Sequence, residues 1–237
     1  MYVLSPCSSV VLCGSLEKSR DRSETCLYNI ITQMVHREPQ RFLFQYFSIM
    51  FIPNLVLIAG TGTKSGKTTL ACRIIEQFKH LYITAIKISP HFHETTPGLK
   101  AIYEEAGYAI YEETNNETAK DTSRMLNSGA GKVYFAKVFD DRLLFVFNKI
   151  KDLIPEGAPI ICESPSLRNY LEPGVFIIMS SETTNKRKNI SMFMDLPHLK
   201  FEFEELPEIP AIPIGFEDGK WFYLPPFPPK GGYVHDI

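Results

Sequence analysis

The sequence has no cysteine pair at metal-ligand spacing, no surplus of positive charge and no unbroken apolar run of membrane-spanning length, and each absence removes a class of function. Five cysteines occur, Cys7, Cys13, Cys26, Cys72 and Cys162, with no CxxC pair, so a zinc site is not indicated and free thiols suit a reducing cytoplasm. Basic residues number 25 and acidic ones 27, interspersed, for a formal charge of −2. No basic stripe therefore marks nucleic acid or an anionic membrane surface as a partner. The longest apolar run, residues 42 to 58, is broken by Gln45, Pro53 and Asn54, so its second half reads as a buried strand and no transmembrane helix is expected. The opening residues up to Pro6 lack the positive start of a secretory signal, and Ser8, Ser9 and Gly14 interrupt the next apolar stretch. A cytoplasmic location is expected.

What remains is a chain of 237 residues, 44% hydrophobic, large enough for one α/β domain with additional segments. Residues 1–49 show no apolar period across the charged run Glu17 to Glu24 and no strand alternation before Asn54, so they read as a poorly patterned extension outside the fold. Residues 50–207 read as the main domain, and residues 208–237 as a terminal hairpin with a proline-rich tail. Strands are expected at Leu55–Ile58, Tyr82–Ile88, Lys132–Val138, Pro159–Glu163 and Val175–Met179. Helices are expected at Thr68–His80, where Leu70, Ala71, Ile74, Ile75 and Phe78 form one stripe, at Thr118–Ser128 and at Asp140–Ile154, with a short one at Ala101–Gly107. This βαβαβ alternation, with no internal repeat seen, predicts a three-layer α/β/α fold around a mostly parallel sheet. Asp218-Gly219 between two apolar runs predicts a hairpin over Ile212–Leu224.

The densest chemical signal lies between the first strand and the first helix: Gly60, Thr61, Gly62, Thr63, Lys64, Ser65, Gly66, Lys67, Thr68, Thr69. A tight glycine-containing turn ahead of a helix aims backbone N–H groups at concentrated negative charge. Lys67 then reaches the β- and γ-phosphates and the Thr68 hydroxyl ligates Mg²⁺, as in a P-loop NTPase fold, so a nucleoside triphosphate, ATP or GTP, is the expected ligand. The first glycine of GxxxxGK[ST] is displaced, with Thr61 in its place and Gly60 one residue earlier.

Together with Ala85-Ile-Lys87, Pro90-His-Phe-His93, Lys120-Asp-Thr-Ser-Arg124 and Ser128-Gly-Ala130, this run resembles the MobB-type proteins over roughly residues 54 to 180. That resemblance implies a GTP-binding accessory role in assembly of the molybdopterin guanine dinucleotide cofactor, and a homodimer. The Gly60-Thr61 start also resembles the longer loop of dethiobiotin synthetase, in the wider P-loop class. Ile88 and Ser164 stand where the MobB-type pattern has histidine and glycine.

Glu163 ends a hydrophobic strand, where P-loop proteins place the acid that holds Mg²⁺ directly or through water; the plainer alternatives are a strand cap or a contact with Arg168. Asp121 and Arg124 lie one helical turn apart and can form a local ion pair, while the resemblance places Asp121 near metal or substrate. Lys87, at a strand end, can contact a phosphate or end in solvent. His91 and His93 lack a third metal ligand, which favours a substrate contact over zinc. Neither Asn185-Lys-Arg-Lys188 nor Asn148-Lys-Ile-Lys151-Asp152 supplies the correctly spaced aspartate of a guanine-reading Asn-Lys-x-Asp motif. Three functions remain in competition. They are an accessory nucleotide-binding protein with slow NTPase turnover, a small-molecule kinase or ligase whose acceptor lies near Lys87 and Asp121, and a switch whose loop 89 to 98 reports nucleotide state to a partner protein.

Overall fold

The computed structural model describes residues 49–90, 97–183 and 190–225. The expected extension, apart from Ile49, lies outside these residues, as do His91, His93, Asn185–Lys188 and the tail beyond Pro225. Ten strands are described: β1 Met50–Gly60, β2 Thr84–Ser89, β3 Leu99–Glu105, β4 Tyr108–Glu113, β5 Lys132–Val138, β6 Ile160–Glu163, β7 Leu171–Ser180, β8 Leu199–Glu202, β9 Ile214–Glu217 and β10 Lys220–Tyr223. The α-helices are α1 Lys67–Gln77, α2 Asp121–Asn127, α3 Leu143–Lys151 and the single turn α4 Ser191–Met194.

Eight strands form one sheet in the order β3-β4-β5-β2-β6-β1-β7-β8. All pairings from β5 to β8 are parallel, and only the β3–β4 and β4–β5 pairings are antiparallel. The fold is therefore α/β with a mostly parallel central sheet. Leu55 to Ala59 of β1 are fully buried, which is why that strand reads as a continuous apolar run: helices cover both faces. One face packs α3 and α4 through Leu143, Val146, Phe147, Ile150 and Phe193. The other packs α1 and α2 through Leu70, Ala71, Ile74, Ile75 and Met125.

The antiparallel hairpin β9–β10 turns at Asp218 and Gly219, both at positive φ. It docks on the α1 face, where Trp221 is 3% exposed, meets Phe78 edge-on at 5.0 Å and lies 4.8 Å from Phe216. Gln77 of α1 clamps the strand leading into it, donating to the Ile212 carbonyl at 3.0 Å and accepting from the Ile212 N–H at 2.8 Å.

Three expectations need correction. Ala101–Gly107 is not a helix but most of β3 and the turn into β4, with Gly107 at φ +89°. Consequently the βαβαβ alternation is interrupted, since an antiparallel hairpin precedes β5 along the chain. A short repeat also exists: Ala-Ile-Tyr-Glu-Glu occurs at residues 101–105 and again at 109–113, one copy in each hairpin strand. Isolated, that pentapeptide has helix-forming Ala and Glu. Pairing of β3 with β4, which itself pairs with β5 and buries Tyr108 and Ile110, decides for strand. Smaller differences lie at element ends. β1 starts at Met50 because Met50–Ile52 pair with Leu171–Pro173 before a register shift, and β7 is correspondingly longer than Val175–Met179.

Candidate functional site

The loop from Gly60 to Gly66 leaves the carboxyl end of β1 and enters α1, and its backbone explains its composition. The Thr61 N–H donates to the Met179 carbonyl at 2.9 Å, tying the loop to β7. A Cβ on Gly60 would lie 2.3 Å from Ser65 Oγ and 2.8 Å from the Lys67 side chain, so close approach requires glycine there. Gly66 caps α1 at φ +85°. Lys64 also adopts positive φ, at 61°, whereas Gly60 and Gly62 do not, so the loop's left-handed angles fall on Lys64 and Gly66. Ser65 is fully buried and its hydroxyl donates to the Gly62 carbonyl at 3.1 Å. Lys67 Nζ reaches across the loop to the Gly62 carbonyl at 2.7 Å and Ser65 Oγ at 3.1 Å.

Sheet order then brings distant residues to this loop. β6 lies between β1 and β2, and register sets Ile58, Glu163 and Lys87 side by side across the three strands. Their shared parity points Glu163 and Lys87 to the α1 face. Glu163, 6% exposed, accepts from the Thr68 hydroxyl at 2.8 Å through one oxygen and from Lys87 Nζ at 3.1 Å through the other. Lys87 also pairs with Asp121 at the start of α2. Burial alone would lower the Lys87 pKa, but Glu163 and Asp121 outweigh it and hold the ammonium above its usual range. Partial burial would raise the Asp121 pKa, yet the Lys87 charge and hydrogen bond keep the carboxyl below its ordinary value. Arg124 lies 3.9 Å from Asp121, the expected local pair, and its Nη2 donates to Thr69 Oγ1 at 3.2 Å.

Arg168, the alternative partner for Glu163, donates instead to the Leu171 carbonyl at 2.9 Å. Asn148 lies in α3, where its side-chain oxygen is buried without a hydrogen-bond partner. Cys162 is buried in β6 and burial pushes its thiol pKa up; Cys72 is half-buried in α1 and shifted the same way by burial.

Glu163, Asp121, Lys87, Arg124 and the loop line one cavity of about 770 Å³. On one side it continues past the carboxyl ends of β2 and β5, where Ile88, Val138, Asp140 and Leu143 form a wall. On the other it reaches Thr183 and Phe203, beyond β7 and β8. These flanking residues carry no local motif. Phe203 has only the alternation Lys200-Phe-Glu-Phe-Glu204 to announce it, and that pattern would bury it. Among the described residues no group of three or more His, Cys, Asp or Glu is arranged to hold a metal by itself. Two hard oxygen donors, Thr68 Oγ1 and the Glu163 carboxylate, do stand together, the small protein share that suits Mg²⁺ shared with phosphates and water. No helix of the described residues is long and apolar enough to cross a membrane.

No protein-family model and no curated protein matches the chain. Among solved structures, the chain is similar to the apo form of LpxK from Aquifex aeolicus in complex with ATP, at 11% identity and a TM-score of 0.43. That alignment covers 84% of this chain and 62% of the other, so the chain spans less than two thirds of that protein's length.

Proposed function

We propose that the chain binds a nucleoside triphosphate with Mg²⁺ at the Gly60–Thr69 loop. One observation carries this reading: Lys67 lies across a tight loop that opens a helix, while Thr68, on that helix, is hydrogen-bonded to a buried strand-end carboxylate, Glu163. The loop's N–H groups and Lys67 would neutralise phosphate charge, and Thr68 with Glu163 would hold the metal, which when bound draws electron density from the terminal phosphate. Lys87 stands beside the same carboxylate, placed to meet charge that develops on a departing phosphoryl group. Titration of Mg-ATP and Mg-GTP against the wild type and Lys67→Ala tests this. Loss of one charge-assisted contact, about 1.5–3 kcal/mol, predicts roughly one to two orders of magnitude weaker binding that added Mg²⁺ does not restore. A wild type that binds neither nucleotide, or a Lys67→Ala variant that binds normally, overturns it.

A second reading, phosphoryl transfer to a small acceptor, is favoured by the continuation of the cavity past Lys87 to Val138, Asp140 and Leu143. Asp140 offers a carboxylate there for accepting an acceptor's proton. The MobB-type accessory role is the third, and a strong GTP preference would favour it. Nucleotide consumption that depends on one added metabolite separates the transferase from both the accessory role and a switch.

A further inference from the structure

Phe203 takes no part in the phosphate chemistry, yet it lines the same cavity. Along β8 the side chains alternate, with Leu199 and Phe201 only 4% and 2% exposed in the core beneath α1. Continued alternation would bury Phe203 as well. Instead the strand ends at Glu202, the Phe203 N–H donates to the Ser180 carbonyl at 2.8 Å, and the residue stays 37% exposed. It rests on the phosphate loop itself, since a Cβ on Gly66 would lie 2.4 Å from Phe203 Cδ2.

Its position in the sheet gives the ring a direction relative to any triphosphate in the loop. Glu163 and Lys87, which address the terminal phosphate, come from β6 and β2 on one side of β1. Phe203 and Thr183 lie just beyond β8 and β7 on the opposite side. A triphosphate whose γ end faces Glu163 therefore directs its nucleoside end toward Phe203. The surroundings there are ordered by side-chain contacts: Ser181 Oγ donates to Glu204 at 2.6 Å, lies 3.0 Å from Thr183 Oγ1 and accepts from the Thr183 N–H at 3.2 Å. This holds the Thr183 hydroxyl in the cavity that Phe203 also lines. If covering Gly66 were the ring's whole task, an aliphatic side chain would serve, and no flat apolar surface would be left open to the cavity.

We infer that Phe203 is the stacking platform for the nucleobase and that Thr183 addresses the sugar or base edge. The inference rests on the nucleotide reading above and deepens it. Every base has a π face, so an aromatic platform binds bases with little selectivity. That agrees with a sequence lacking the aspartate needed to read guanine.

The test compares Mg-ATP, Mg-GTP and Mg-tripolyphosphate, which lacks the nucleoside, on the full chain as wild type, Phe203→Leu and Phe203→Trp. Phe203→Leu should bind both nucleotides roughly tenfold more weakly and bind tripolyphosphate as the wild type does, while Phe203→Trp should keep nucleotide affinity. Equal losses for all three ligands in Phe203→Leu, or no loss for any, would overturn the platform and leave nucleotide binding standing. A wild type that binds tripolyphosphate but gains nothing from the nucleoside would also overturn it. Failure of the wild type to bind any of the three removes the nucleotide reading and this inference together.

Discussion

Replacing Glu163 with glutamine keeps the shape of a side chain that is 6% exposed and removes its charge. Two contacts change, the Thr68 hydroxyl at 2.8 Å from one oxygen and Lys87 Nζ at 3.1 Å from the other. The amide can turn its oxygen to Lys87 and its NH₂ to Thr68, whose hydroxyl can accept, so both hydrogen bonds survive and charge assistance is what disappears. Hydrogen bonds to charged groups contribute about 1.5–3 kcal/mol against about 0.5–1.5 for neutral ones, a difference of roughly 1–2 kcal/mol. Lys87 keeps Asp121, so the ~3–5 kcal/mol cost of stranding a buried charge does not apply. At about 2–4 °C per kcal/mol for a domain of ~150–250 residues, the unfolding midpoint should fall by roughly 2–8 °C. The effect on metal should be larger, because the charge that opposes Mg²⁺ is gone: half-saturation should need about tenfold more Mg²⁺, with nucleotide still binding at saturation and any turnover reduced. Nucleotide titrations at several Mg²⁺ concentrations, beside thermal unfolding, measure both. Wild-type Mg²⁺ dependence and turnover in Glu163→Gln would refute the metal role, leave Glu163 a structural acid and make Asp121 the next candidate.

Discrimination between ATP and GTP should stay below about tenfold, ~1.4 kcal/mol, in competition binding with Mg²⁺; a hundredfold GTP preference would contradict the aromatic platform's indifference and advance the MobB-type role. Trp221→Ala should destabilise the chain by about 3–5 kcal/mol in denaturant unfolding, because a nearly buried ring packed on Phe78 and Phe216 leaves a cavity under the hairpin. A loss below ~1 kcal/mol would mean that the hairpin's docking contributes little. The Lys87–Asp121 pair sets a pH window. Asp121, lowered from 3.8, stabilises above that value and loses its contribution as pH falls through its lower folded pKa. Lys87, raised from 10.5, stabilises below that value and loses its contribution as pH rises through its higher folded pKa. The stability difference between wild type and Lys87→Met should therefore be level from about pH 5 to 9 and shrink in acid below ~4. A difference that varies across the neutral range would show that another group governs it.

Local signals are readable wherever one segment decides its own structure. Lys132–Val138 has the strand's bounds because its apolar residues are buried on both faces, and Asp218-Gly219 turns where two residues at positive φ are needed. The Gly60–Gly66 loop is equally local, since Lys67 lies within a few residues of the backbone carbonyl it reaches. β3 reads as a helix because it is an edge strand, mostly exposed or half-exposed, and strict alternation is not imposed on it from outside. The cluster around Glu163 is visible in the sequence only as separate candidates. Lys87 and Glu163 are 76 positions apart, and Thr68 and Glu163 are 95 apart. Their meeting depends on β6 inserting between β1 and β2, which no local pattern announces. Phe203 is hidden for the opposite reason: alternation is present but stops one residue early.

Charge is distributed unevenly within the cavity, and the distribution limits what it can hold. The whole chain carries a formal charge of −2, yet the cavity lining contains four basic side chains, Lys64, Lys67, Lys87 and Arg124, and three acidic ones, Asp121, Asp140 and Glu163. The bases are not spread evenly over the acids, because Lys64 and Lys67 belong to the loop while Lys87 and Arg124 are paired with Glu163 and Asp121. Lys67 lies over the loop, whereas Glu163 and Asp121 stand against Lys87. A bare polyanion gains from the first region and finds little net charge in the second, where Lys87 and Arg124 are paired with the carboxylates. A polyanion carrying a divalent cation at its terminal end gains from both, since the cation meets the carboxylates and the remaining phosphate charge meets Lys67 and the loop N–H groups. On the proposed reading, that asymmetry would favour the magnesium complex of a triphosphate over the free triphosphate. On the same reading the loop lysine and the strand-end glutamate should answer differently to added metal: the first would act on phosphate charge whether or not metal is present, and the second only through it.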